Sequence, residues 1–190
     1  MSLLLFGLVL FLGIHSVSIV APAWRDRQVA RHELAFKGIY SVASLVGLMA
    51  LAHGYGLARQ EPVVLYAPPT WLRHVALLLM VPVFPLFIST YFPGRIQQAA
   101  RHPTLLAVKL WATAHLLANG TLADVVLFGA FLAWAVADRI AVKRRSVPHK
   151  IPGAPPGARN DLIALVVGLA IYIAFVWRVH AWLIGVSPLG

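Results

Sequence analysis

Apolar stretches of membrane-crossing length recur along this chain, with clumps of arginine and lysine between them. A helix needs about 20 apolar residues to cross a hydrocarbon core of about 30 Å, at 1.5 Å per residue. Lipid offers no hydrogen bonds, so each spanning segment must satisfy its own backbone, and a helix does so. From Met1 to Trp24 there is no Asp, Glu, Lys or Arg at all. Hydrophobic residues make up 60% of the chain and charged ones 12%, against about a quarter in a soluble domain. These features predict an all-α, polytopic membrane protein.

The spacing predicts about six transmembrane helices in one bundle, forming a single domain over residues 1–190. The first runs from about Ser2 to Ala23 and lacks a positive n-region, so it reads as a retained helix rather than a signal peptide. The second runs from Ala35 to Leu57, between Arg31 and Arg59. The third begins near Trp71, contains Pro82 and Pro85, and ends at Tyr91-Phe92-Pro93-Gly94. The fourth, from Pro103 to Leu117, is short and carries Lys109 and His115. The fifth spans Leu122 to Val142, and the sixth Asp161 to Ile184 after a Pro- and Gly-rich loop from Val147 to Ala158.

Charge then orients the bundle. Arg25, Arg27, Arg31 and Lys37 flank the first loop, and Arg95 and Arg101 the third. Arg139, Lys143, Arg144, Arg145, Lys150 and Arg159 flank the fifth. The second has only Arg59 and Arg73 beside it, and the fourth has none. The odd loops therefore face the cytoplasm and both termini lie outside. The same placement answers the net charge of +10: it meets anionic lipid head groups, not nucleic acid. There is no cysteine, which excludes disulfides, iron–sulfur clusters and thiolate ligands and leaves imidazole as the obvious metal ligand.

Ionisable side chains inside membrane helices are costly, so each is a functional candidate. His15 and His115 lie within helices, whereas His53, His74 and His180 sit toward outer ends, where an anchoring role is the simpler reading. His32 and His149 fall in basic loops and read as solvated. Two imidazoles from facing helices can bracket a haem iron. His15 lies nine residues before Trp24 and His115 fourteen after Arg101, roughly 14 Å and 21 Å from their cytoplasmic ends. Tilt absorbs that offset, but by depth alone His115 can equally meet His53 or His180. Lys109 reads as a snorkelling cation. In Arg101-His102-Pro103 a cation, an imidazole and a helix N-terminus converge, which suits an anionic group such as a haem propionate or a phosphate, or a simple cap.

Gly94-Arg95-Ile96, Arg101-His102-Pro103, Ala114 through Gly120 and Asp138-Arg139, in this order and spacing, resemble the NnrU family. Ile14-His15-Ser16 and Trp182 through Val186 also fit, so the likeness covers nearly the whole chain. NnrU proteins are bacterial inner-membrane proteins named for a link to nitrite and nitric oxide respiration. They are related to plant 15-cis-zeta-carotene isomerase, a membrane enzyme with haem b. The resemblance implies haem b with His15 and His115 as axial ligands, and it matches His102, with Arg101 beside it, to a functionally important turn of the isomerase. Where the isomerase has a cysteine one turn before its second ligand, this chain has Ala112, so no thiolate exchange is available.

Three functions follow as expectations. One is a haem b protein that handles nitric oxide or moves electrons. Another is cis–trans isomerisation of an apolar polyene. The third is a membrane methyltransferase resembling the isoprenylcysteine carboxyl methyltransferases, which also carry an Arg-His-Pro turn, although their downstream cofactor residues have no counterpart here. A structural or assembly role is the non-catalytic default.

Overall fold

The computed structural model describes residues 1–144 and 153–189. Arg145, His149 and Lys150, used in the charge and histidine readings, lie outside the described residues. The described residues are helical apart from connections and a single bridge pair, Val64 with Thr121. Five helical stretches are long and apolar enough to cross a membrane: Ser2–Val20, Pro22–Ala58, Trp71–Tyr91, Leu122–Lys143 and Arg159–Ile184. The expected fourth span is the shorter helix Pro103–Ala118. At 16 residues it measures about 24 Å, less than the hydrocarbon thickness. The all-α membrane architecture stands as the sequence predicts.

The chain divides into two compact units, each built from two separated segments. Unit 1 joins Met1–Leu65 to Thr121–Arg144; unit 2 joins Tyr66–Gly120 to the described part of Arg145–Gly190.

In unit 1, α1 (Ser2–Val20) stops at Ala21, whose place before Pro22 disfavours helical backbone. Pro22 then opens α2 (Pro22–Ala58), where its missing N–H costs nothing. Arg25 to Arg31, expected as a loop, is thus helical. Its Ala, Arg and Gln residues are good helix formers, and the chain turns instead at His32, which has φ −141° and ψ 54°. Beyond that point α2 runs antiparallel to α1, with Leu4 against Gly54, Gly7 against Leu51 and Phe11 against Gly47. A Cβ on Gly47 would lie 2.8 Å from the Phe11 nitrogen, so the backbones meet where glycine removes the obstacle. The outer faces are apolar and open, Val9 at 73% and Met49 at 64% exposed, as lipid contact requires.

Unit 1 is completed by helix Leu122–Lys143, labelled α7 below after the helices of unit 2. In unit 2, the third span is divided by Pro82 into α3 (Trp71–Met80) and α4 (Val83–Tyr91). Proline cannot donate to the Leu78 carbonyl, and the Val81 N–H turns to it instead. The Leu77 carbonyl, deprived of Val81, accepts from the Tyr172 hydroxyl at 2.9 Å, the repair a neighbouring helix supplies in a membrane. A short helix, α5 (Arg95–Ala100), interrupts the third loop and was not expected from the sequence. Its first N–H groups, at Arg95 and Ile96, donate to the Asp161 carboxylate at 3.0 and 2.9 Å. Then come α6 (Pro103–Ala118), α7 in unit 1, and α8 (Arg159–Ala174). The α8 backbone at Gly168 lies directly on Pro85 of α4. A π-helical stretch, Phe175–Val179, leads from α8 into α9 (His180–Ile184).

Candidate functional site

Unit 1 holds His15 one turn before the end of α1. Its Nδ1–H donates to the Phe11 carbonyl four residues back, at 2.7 Å. A carbonyl only accepts, so Nδ1 carries the hydrogen, and in the neutral form of the ring the lone pair lies on Nε2. Three aromatic rings surround the imidazole, with centroids at 4.3 Å for Phe11, 5.2 Å for Tyr40 and 6.0 Å for Trp134. The Trp134 indole Nε1–H is buried and has no acceptor among the described residues. An indole can only donate, so its environment lacks an acceptor. The neighbouring Ser16 hydroxyl is taken by the Leu12 carbonyl at 2.7 Å.

Unit 2 repeats the arrangement. His115, near the end of α6, donates from Nδ1 to the Trp111 carbonyl at 2.8 Å, and the Trp111 ring lies 5.3 Å from its own. Again the residue four back supplies both the carbonyl and an aromatic ring. Ala112, where the resemblance places a cysteine in the isomerase, is fully buried. The structure brings His180, read from sequence as an outer anchor, beside His115: the centroids are 6.4 Å apart and the planes 26° from parallel. His180 is itself held by Nδ1–H to the Val186 carbonyl at 2.7 Å. Both rings line a pocket of about 160 Å³.

The Arg101-His102-Pro103 turn lies at the far end of α6, thirteen residues from His115 or roughly 20 Å along the axis. Its backbone is unusual. Arg101 has φ 59° and ψ −42°, and the His102 N–H donates back to the Ala100 carbonyl at 2.7 Å. This is a γ-turn of the rare, strained kind. Among the other candidates, His53 and His74 are exposed and His32 marks the break in α2.

The sequence reading did not single out Asp124, Tyr55 or Trp134. Asp124 is buried and accepts from the Tyr55 hydroxyl at 2.5 Å, from the Thr121 N–H at 2.9 Å and from the Thr121 hydroxyl at 2.7 Å. A usable signal existed, because Thr121-x-x-Asp124 before an apolar run is a capping box.

A family model described as NnrU protein matches residues 3–188. The chain belongs to the NnrU family. The match runs from α1 to beyond α9 and so includes His15, Arg101, His102, His115 and His180. No curated protein and no solved structure matches this NnrU chain.

Proposed function

We propose that this NnrU protein binds haem b in a bacterial inner membrane, that His15 and His115 are the residues that would hold its iron, and that both termini lie in the periplasm. The observation that carries the reading is the shared setting of the two imidazoles. Each is tied through Nδ1–H to the carbonyl four residues back, at 2.7 and 2.8 Å, leaving Nε2 as the nitrogen with the lone pair. A hydrogen bond on the second ring nitrogen is what orients a metal-binding histidine and raises its basicity. The donor set fits an iron porphyrin, since the chain has no cysteine and imidazole is a normal haem ligand. The buried Trp134 N–H beside His15 fits as well, because a bound group can supply the acceptor that the protein does not.

When bound, haem supplies one-electron chemistry and an iron centre for small ligands. The protein's part is to hold and enclose it. Phe11, Tyr40 and Trp134 surround His15, and Trp111 lies against His115. Arg101 and His102 offer a cation and an imidazole to an anionic group at the other end of α6. Nitric oxide handling and polyene isomerisation are both roles within this reading.

An absorption spectrum tests it. Protein made in haem-replete cells should show a Soret band, with sharp α and β bands on reduction. His15→Ala and His115→Ala should each lose most of the haem while keeping their helical circular dichroism. A colourless wild-type protein, or an unchanged spectrum in both variants, overturns the assignment.

A further inference from the structure

We infer that the unit 2 pocket beside His115 is a binding site for a single-chain amphiphile with a carboxylate head. The inference goes beyond haem binding and uses no iron.

The polar end of the pocket is assembled from helix ends. Arg73 lies in the first turn of α3, Asn119 just past α6, and Ser187 just past α9. Gly185, at φ 78°, closes α9 in left-handed backbone, and the His180–Val186 bond pins the returning segment. Ser187 is thereby brought to the rim. The hydrogen bonds leave donors over at this end. The Ser187 oxygen accepts from the Leu189 N–H at 3.2 Å, which leaves its proton to give. Asn119 uses one amide hydrogen on the His115 carbonyl at 2.9 Å and has a second. The Arg73 guanidinium has no ion-pair partner among the described residues. No Asp or Glu lines the pocket.

Donors without matching acceptors select an anion. A bare metal cation would have two imidazoles but no carboxylate, and a guanidinium in the same pocket. Among the described residues no group of three potential ligands exists. One planar guanidinium fork matches one carboxylate, whereas a phosphate dianion would call for more cation. Away from the rim the lining turns apolar, with Met80, Phe84, Phe175 and Val176. Phe84 and Phe175 pack at 5.0 Å, and the π-helical stretch that carries Phe175 and Val176 is a backbone feature common at functional sites. A small inorganic anion would leave this part unused.

The test uses the full-length protein in lipid nanodiscs and dodecanoate carrying ¹³C in its carboxyl group. Saturable binding, read as a shift of the carboxyl resonance, is expected. Arg73→Gln should weaken it about tenfold or more and Ser187→Ala several-fold. Arg178→Gln, which removes a cation outside the pocket, should leave it unchanged. Val176→Trp should fill the apolar part and abolish binding, with circular dichroism reporting that each variant folds. Equal affinity for dodecanol would reduce the site to a greasy cleft and overturn the inference. Tighter binding of dodecyl phosphate, Zn²⁺ uptake that depends on His180, or equal loss in Arg178→Gln would also overturn it. The readout is the probe's own carboxyl signal, so a colourless preparation bears on the haem assignment and not on this one.

Discussion

Asp124, in the first turn of α7, shows how a buried carboxylate is accommodated. Its two oxygens take the Tyr55 hydroxyl and both donors of Thr121, so burial leaves neither oxygen without a donor. Removing one donor is cheap and reversing one acceptor is not. Tyr55→Phe should cost about 1 kcal/mol and Asp124→Asn about 2–3 kcal/mol, since the amide turns a donor toward a donor. Thermal unfolding in detergent measures both, and a larger loss in Tyr55→Phe would contradict the accounting. Arg101 is the opposite case, a side chain held where glycine belongs. Arg101→Gly should stabilise the fold by about 1 kcal/mol. If it also weakens retention of an anionic ligand, the strain is part of the site.

At the scale of elements, glycine and proline decide where helices meet. Gly47→Leu would push α1 from α2 by driving a side chain into the Phe11 backbone, a loss of about 1–3 kcal/mol. The same change at Gly56, where an added Cβ meets nothing, should be nearly silent and serves as the control. Tyr172→Phe should cost about 1 kcal/mol by stranding the Leu77 carbonyl. The spans themselves were legible because a run of apolar residues has few alternatives. Trp71 and Tyr91 bound the third span as expected, and Pro103 opens α6. What escaped the sequence reading was local geometry. The helical run from Arg25 to Arg31 was masked by its charges, which read as loop. The π-helical stretch has no periodic signature of its own. His180 was read by depth alone, and depth does not tell which way a ring turns; the turn at Gly185 and the bond to Val186 set its direction.

For the whole molecule, charge orientation makes a direct prediction. Alkaline phosphatase fused after Gly190 should be active, and a fusion in the Arg95–Arg101 segment inactive. The reverse pattern would invert the topology. Of the eight histidines, the sequence pointed to His15 and His115, and each of these donates from Nδ1 to the carbonyl four residues back.

The two units are interleaved along the chain, and that has a consequence for synthesis. Unit 1 is complete only when residue 144 has emerged, by which time all of the first segment of unit 2 is already in place. That earlier segment must wait unfinished for α8, whose Gly168 and Tyr172 seal the proline break. A chain arrested after Ala118 should therefore contain neither finished unit and be the form that a membrane protease clears fastest, whereas arrest after Arg144 should leave α1, α2 and α7 together as a protected fragment.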